Sequence, residues 1–266
     1  MPHITISNDS RMALLINVNS VSPWLTVQRH STEAHLRLFC FPYAGGGASI
    51  FSAWSKALPS SVEVCSVQLP GRENRLGEMP LTRMPDLVEQ LSTALVPWLD
   101  KPFALFGHSL GALIAFEWLR CLPPRYQPVH FFLSACPAPE TPRPAPMHSL
   151  PDGEFIDALQ NRYQQIPQAI LQDPEMMGLF LPVLRADFTL YETYTYVAGM
   201  PLACPVCAFG GLQDHLSNRA QLTAWHPYTS SVFTQRMFPG GHFFLKTAQT
   251  PLLQAIVQTL NLAENL

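Results

Sequence analysis

Charge is scarce in this chain. Asp, Glu, Lys and Arg make up 13% of its 266 residues, about half the roughly 25% usual for a soluble domain. The formal net charge is -3 and no basic block occurs, so the clustered Lys and Arg of a nucleic-acid binder are missing. Hydrophobic residues reach 47%, which excludes a mostly disordered chain. A sustained apolar run is lacking too. The uncharged stretches Leu38–Ser55, Pro102–Phe116 and Thr193–Gln213 are each broken by Gly or Pro and read as strand, loop and helix inside a core rather than as membrane spans. The opening MPHITISNDS has no basic start, apolar run or small-residue cleavage site, so no secretory leader is expected. Without a leader, the six cysteines are expected as buried free thiols in a reducing cytoplasm. Cys204-Pro-Val-Cys207 is a lone CxxC with no second CxxC or His pair nearby. It reads as the lead-in to a strand, and neither a metal nor a cofactor is expected.

From about residue 35, short apolar runs alternate with helix-period segments. Strands are expected at Leu36–Pro42, Val62–Leu69, Phe103–Phe106 and Val129–Ser134, with helices at Ala48–Leu58, Pro85–Leu99 and Leu110–Leu122. That rhythm implies right-handed crossovers and an α/β fold, a mostly parallel sheet with helices on both faces. It breaks at the proline-dense Pro137–Pro151 and gives way to a helical stretch over 152–197. Strand rhythm returns at Pro205–Gly210 and Val232–Phe238, and Leu252–Leu262 closes the chain as a helix. Residues 137–197 therefore read as an insertion in one domain spanning 36–266, and insertions at this point often act as lids. Phe155, Leu159, Met176, Met177, Phe180 and Leu184 give the insertion an apolar face. Met176, Met177 and Phe180 are candidate substrate contacts, with packing on the core as the alternative. Residues 1–35 form an extension of unclear role, either an extra strand or a surface wrap.

The chemistry is carried by Phe103-Ala-Leu-Phe-Gly-His-Ser-Leu-Gly-Ala112: a buried strand, then G-x-S-x-G, then a helix. This is the setting of a nucleophile elbow, with Ser109 at its apex and small neighbours Gly107 and Gly111. A nucleophilic serine needs a base held by a carboxylate, in the chain order Ser, acid, His. His3, His30 and His35 precede the core, His108 belongs to the elbow, His148 lies in the proline-rich loop, and His226 lies in a polar helical turn. His242, in the loop Pro239-Gly-Gly-His-Phe-Phe244, is the candidate base. Asp214 follows the strand Pro205–Gly210 and is the candidate acid. Asp187 lies in a helical pattern two residues from Arg185 and reads as a local ion pair or surface residue; His215 is a weak rival base. For the oxyanion, the amide of Leu110 and that of Ala44, preferred over Tyr43, are the expected donors. Ala44 lies in the loop Phe41-Pro-Tyr-Ala-Gly-Gly-Gly47, which lacks the lysine of a P-loop.

The runs FCFPYAGG (Phe39–Gly46), QLPGRENR (Gln68–Arg75), LFGHSLGA (Leu105–Ala112), LPVLRADFTLYETY (Leu181–Tyr194), GGLQD (Gly210–Asp214) and FPGGHFFL (Phe238–Leu245) together resemble the type II thioesterases. These are the stand-alone editing enzymes of polyketide and non-ribosomal peptide synthesis. The resemblance covers about residues 36–262 and implies an α/β-hydrolase fold with a helical lid. It implies hydrolysis of acyl groups from the phosphopantetheine thiol of a carrier protein. Since the hydrolase accounts for nearly all of the chain, action in trans is expected, and a monomer is expected. Ser109, Asp214 and His242 fall on its triad positions. A chain-releasing or medium-chain fatty-acyl thioesterase and a general serine esterase share these features and remain alternatives, while the intact Ser, Asp, His set argues against a non-catalytic carrier-binding protein.

Overall fold

The short apolar runs become strands because each is flanked by turn residues and is too short for a helix of the same burial. A computed structural model describes residues 22–28, 31–163, 166 and 168–262. Most of the N-terminal extension, with His3 and His30, lies outside the described residues. Seven strands, β1 (Leu25–Val27), β2 (Leu36–Phe41), β3 (Val62–Val67), β4 (Phe103–His108), β5 (His130–Ser134), β6 (Val206–Gly211) and β7 (Phe233–Phe238), form one sheet in the order β1-β3-β2-β4-β5-β6-β7. All pairings are parallel except that of β1, which runs antiparallel along β3 with Leu25 opposite Val67. Part of the extension is thus an edge strand.

The helices are α1 (Trp54–Ala57), α2 (Met84–Leu95), α3 (Leu110–Cys121), α4 (Asp152–Tyr163), α5 (Gln168–Leu171), α6 (Pro174–Glu192), α7 (Arg219–Thr223), α8 (Phe244–Thr247) and α9 (Gln249–Thr259). The expected helix over Ala48–Leu58 is instead a 3-10 turn, Ala48–Phe51, followed by the single turn of α1. Both faces of the sheet are covered, which is why β2 to β6 carry no exposed residue. Phe39, Phe41, Phe103 and Leu105 point to the face under α2 and α3, while Leu38, Cys40, Ala104 and Phe106 point to the face under α1 and α9. Each fully buried side chain of this size contributes about 1.5–3 kcal/mol.

The strand order reverses beside β2. The chain leaves β2 over one face to reach β3 and leaves β4 over the opposite face to reach β5. The loops at the carboxyl ends of β2 and β4 therefore diverge, and the crevice between them is where open α/β sheets hold ligands. Two loops relevant to chemistry, Pro42–Gly47 and the elbow at Ser109, flank it.

The insertion divides in its packing. Phe155, Leu159 and Leu184 are at 0%, 0% and 2% exposure, and Met177 and Phe180 join the same core. α6 starts at Asp173, whose carboxylate accepts from the amides of Glu175 and Met176 at 3.0 and 3.1 Å, with Pro174 in the first turn. All six cysteines are free thiols; Cys121 is exposed and the other five are buried. Cys207 lies within β6, with Cys204 just before it. Among the described residues no helix is long and apolar enough to cross a membrane.

His130 opens β5 at 9% exposure, stacked on Phe132 at 4.5 Å between ring centroids, with no hydrogen-bond partner for Nε2 among the described residues. Burial lowers its pKa to about 4. The unfolded chain binds this proton near pH 6.5, so the folded state loses stability as pH falls from about 6.5 to about 4. In His130→Phe the decline of Tm over that window should be shallower by on the order of 5 °C, as read by calorimetry at pH 7, 5.5 and 4.

Candidate active site

β4 passes into α3 through a turn so tight that Ser109 takes φ 54 and ψ −120. A residue with this backbone carries on the order of 1–3 kcal/mol of strain, which the surrounding packing must hold. The neighbours must be glycine. A Cβ on Gly107 would lie 2.5 Å from Ala112 Cα, and one on Gly111 would lie 2.3 Å from the Phe41 carbonyl oxygen. α3 thereby packs directly against the end of β2, and the Ser109 hydroxyl projects at the carboxyl edge of the sheet.

Asp214 and His242 reach it on two loops joined to each other. The Leu212 amide donates to Phe238 O at 2.8 Å, the Gln213 amide to Gly240 O at 2.9 Å, and the Gly240 amide to Gln213 Oε1 at 2.6 Å. A Cβ on Gly211 would meet Gly241 O at 2.4 Å, so glycine alone permits this approach. The Asp214 carboxylate is 0% exposed; Oδ1 accepts from the amides of Leu216 and Ser217 at 2.8 and 3.2 Å. Its Oδ2 stands 2.9 Å from His242 Nδ1, and His242 Nε2 stands 3.1 Å from Ser109 Oγ. With the carboxylate accepting, Nδ1 carries the proton and Nε2 offers its lone pair to the Ser109 hydroxyl. The structure therefore brings Ser109, His242 and Asp214 into one relay. His215 lines the cavity beside Ser109.

A small cavity against Ser109 is walled by Ala44, Leu110, Tyr163, Phe188 and His242. Both expected oxyanion donors thus stand at its margin, Leu110 as the first residue of α3. A larger adjoining cavity of about 120 Å³ reaches from Ser109 past Tyr163, Tyr191, Arg143 and His215. The insertion supplies four of these walls: Arg143 from the proline-dense stretch, Tyr163 at the end of α4, and Phe188 and Tyr191 on α6. Met176, Met177 and Phe180 line neither cavity. Met176 is 38% exposed, whereas Met177 and Phe180 face the core, because the inward stripe of α6 runs through Leu184, Phe188 and Tyr191. That stripe was available in the sequence as apolar spacing of four and three residues. Burial raises the Tyr163 phenol above its ordinary range and pushes Tyr191 up to about 12, so both rings stay neutral.

Asp187 is a correction. It makes no pair with Arg185 and is not on the surface: at 2% exposure it faces Arg72. Residues two apart on a helix point about 200° apart, so Arg185 turns outward, where it bonds Asp152 at 2.6 Å and the Leu150 carbonyl at 2.8 Å.

His108 has a role that its place in the elbow hides. Its Nε2 donates to the His242 carbonyl at 2.9 Å, and its Nδ1 stands 2.9 Å from the Ser134 hydroxyl. Burial, and next the nearby His242, lower its pKa well below the ordinary value, so it is neutral and holds the His242 loop from behind.

The family model of the thioesterase domain matches residues 36–261. The chain is 42% identical over 248 residues to the gramicidin S biosynthesis protein GrsT of Aneurinibacillus migulanus, covering 92% of this chain and 96% of that one. Among solved structures it resembles the type II thioesterase BorB of the borrelidin cluster (TM-score 0.80, 32% identity, 90% of this chain and 97% of that one). It also resembles the RedJ thioesterase of prodiginine biosynthesis in Streptomyces coelicolor (TM-score 0.78, 38% identity, 84% and 89%).

Replacing His108 by Phe keeps ring volume but strands the Ser134 hydroxyl and the His242 carbonyl. The variant should lose about 1–3 kcal/mol of stability. Turnover of any substrate attacked by Ser109 should fall at least about tenfold, since misplaced catalytic groups are costly. Urea titration and a steady-state assay on the same preparation measure both.

Proposed function

The chain belongs to the thioesterase family, and we propose that it acts in trans as a type II thioesterase, hydrolysing acyl thioesters from the phosphopantetheine arm of carrier proteins. In this reading it clears misloaded or stalled intermediates from a polyketide or non-ribosomal peptide synthase, as a cytoplasmic monomer. The observation that carries it is the relay from Ser109 through His242 to Asp214 at 3.1 and 2.9 Å, set at the carboxyl edge of the sheet. The likeness to BorB, a type II thioesterase over nearly its whole length, supports the class of substrate.

His242 takes the proton of the Ser109 hydroxyl as its oxygen adds to the thioester carbonyl. Asp214 stabilises the imidazolium and holds its tautomer. The amides of Leu110 and Ala44 receive the oxyanion as it forms. A thioester has no amide resonance and its sulfur leaves readily, so collapse needs only the return of that proton from His242 to the thiolate. Water then enters, loses a proton to His242, and attacks the acyl–Ser109 ester. The products are the free acid, the carrier thiol and the restored serine. Tyr163 and Tyr191, neutral and apolar-faced, line the path of the acyl group. The cavity of about 120 Å³ is below the roughly 300–1,000 Å³ of ordinary small-molecule sites, which favours short acyl groups.

Ser109→Ala should fold as the parent does and lose up to about 10⁶ in kcat, while Asp214→Asn should lose on the order of 10⁴. Circular dichroism beside a turnover assay tests both; activity of Ser109→Ala within tenfold of the parent would sink the mechanism. A panel of carrier proteins loaded with acyl groups of two to twelve carbons, set against the matching oxygen esters, tests the substrate. Short carrier-bound thioesters should turn over fastest. A preference for the longer acyl thioesters would mark a medium-chain releasing enzyme, and a preference for oxygen esters a general esterase.

A further inference from the structure

The most heavily invested polar cluster outside the relay is buried where the insertion meets the loop after β2. Arg72 and Asp187, 115 residues apart, form a two-pronged pair at 2.6 and 2.8 Å with side chains 7% and 2% exposed. Asp187 Oδ2 also accepts from the Gly45 amide at 2.7 Å, and Arg72 Nη1 also donates to the Gly46 carbonyl at 3.2 Å. Asp187 thus holds the Ala44–Gly45 peptide and Arg72 the Gly46–Gly47 peptide beside it. Those peptides belong to a turn in which the Gly46 amide bonds Tyr43 O at 2.9 Å and Gly45 takes φ 75. Ala44 is the second residue of that turn.

We infer that the buried Arg72–Asp187 pair is a positioning device for the oxyanion loop: by capturing the Gly45 amide it sets the orientation of Ala44. The inference rests on the functional reading above, in which Ala44 supplies an oxyanion donor. The physical reason lies in the peptide plane. The donor amide of Ala44 lies in the Tyr43–Ala44 peptide. A trans peptide holds its N–H and C=O on opposite sides, so the bond from the Gly46 amide to Tyr43 O fixes where that N–H points. Asp187 supports the turn that makes this bond by holding its central Ala44–Gly45 peptide. A turn with glycine at a positive φ has an alternative in which this central peptide is flipped. A carboxylate on one side selects between the two. An uncharged acceptor would hold the amide less firmly, since bonds to an ionised group are about twice as strong as neutral ones.

The surroundings support the loop from its other end. Gln68 accepts from the Ala48 amide at 2.6 Å and donates to the Arg72 carbonyl at 2.8 Å, so the segment carrying Arg72 is itself tied to the loop. Arg75 donates to the Gln68 carbonyl at 2.9 Å and stacks on Trp24 at 4.1 Å. Asp187 comes from α6, the helix that also presents Phe188 and Tyr191 to the cavity. The insertion thus walls the cavity and aims the loop through one helix.

A device that positions a donor for the developing oxyanion should be felt in the tetrahedral state and not in substrate binding. In Asp187→Asn, kcat should fall on the order of 10²-fold, as when an oxyanion donor is displaced, with KM changed by less than about threefold. Arg72→Lys, which keeps the charge but not the two-pronged geometry, should follow in the same direction and serves where the Asn variant does not fold. Phenylboronic acid, which accepts the serine oxygen to give a tetrahedral adduct, should bind these variants more weakly by the same factor as kcat falls. A fall in Tm with kcat unchanged well below Tm would overturn the inference and leave the pair purely structural. A rise in KM with kcat preserved would also overturn it, assigning the pair to acyl binding. Ser109→Ala in the same assays separates the two levels: if it stays active the functional reading itself fails, whereas if it is dead and Asp187→Asn is fully active only the positioning role fails.

Discussion

The carbonyl of Phe41 and the backbone of Gly111 stand so close that a single Cβ would come within 2.3 Å of that oxygen. Through this contact α3 is pressed onto the end of β2, and the turn before it must hold Ser109 at φ 54. The elbow cannot relax without lifting α3 off the sheet, and α3 is almost wholly buried, with Leu113, Ile114 and Trp118 at 1%, 0% and 0% exposure. The strain at one residue is thus held by the packing of a whole helix. The same contact brings the first residue of α3 beside the loop after β2, so nucleophile and oxyanion loop are positioned by one event.

The other half of the relay is built separately and brought to the first by the sheet. β6 and β7 end side by side, and the backbone bonds between the Gly211–Asp214 and Pro239–His242 loops lock acid and base together without involving Ser109. His108 closes the gap: it is the residue before the nucleophile, yet it donates to the carbonyl of the base. Its burial keeps it neutral, so it can hold that loop without placing a second positive charge beside the imidazolium that forms during turnover.

The insertion is more than a cover. Its inner face is continuous with the main core through Phe155, Leu159 and Leu184, and its buried Asp187 carboxylate is answered by Arg72 from the β3–α2 loop. A buried pair of this kind contributes little net stability, though removing one partner costs about 3–5 kcal/mol. Its value here lies in direction, since both groups also bond the peptides of the loop that carries Ala44. Tyr163, which faces His242 at 5.7 Å between ring centroids, joins the insertion to the relay on the opposite side.

Local pattern was enough for the strands, the elbow and the order of Ser109, Asp214 and His242, because strand period, glycine spacing and loop position are properties of short segments. The helices α2, α3 and α9 and the parallel architecture followed from the same signals, although α2 stops at Leu95 rather than Leu99 and α9 runs over Gln249–Thr259 rather than Leu252–Leu262. What pattern did not contain was direction. Asp187 and Arg185 are two residues apart and look alike as partners, yet helical geometry sends one inward and the other to the surface. Met176 and Phe180 look suited to a substrate face, yet the residues of α6 that reach the cavities are Phe188 and Tyr191. The antiparallel edge strand Leu25–Val27 was hidden because three residues carry no period and acquire a partner only from β3. The sequence by itself thus determined the kind of fold and the chemical groups it can bring to bear. The tertiary structure alone decided which buried charge faces which loop, because that depends on contacts between segments more than a hundred residues apart, as Arg72 and Asp187 are.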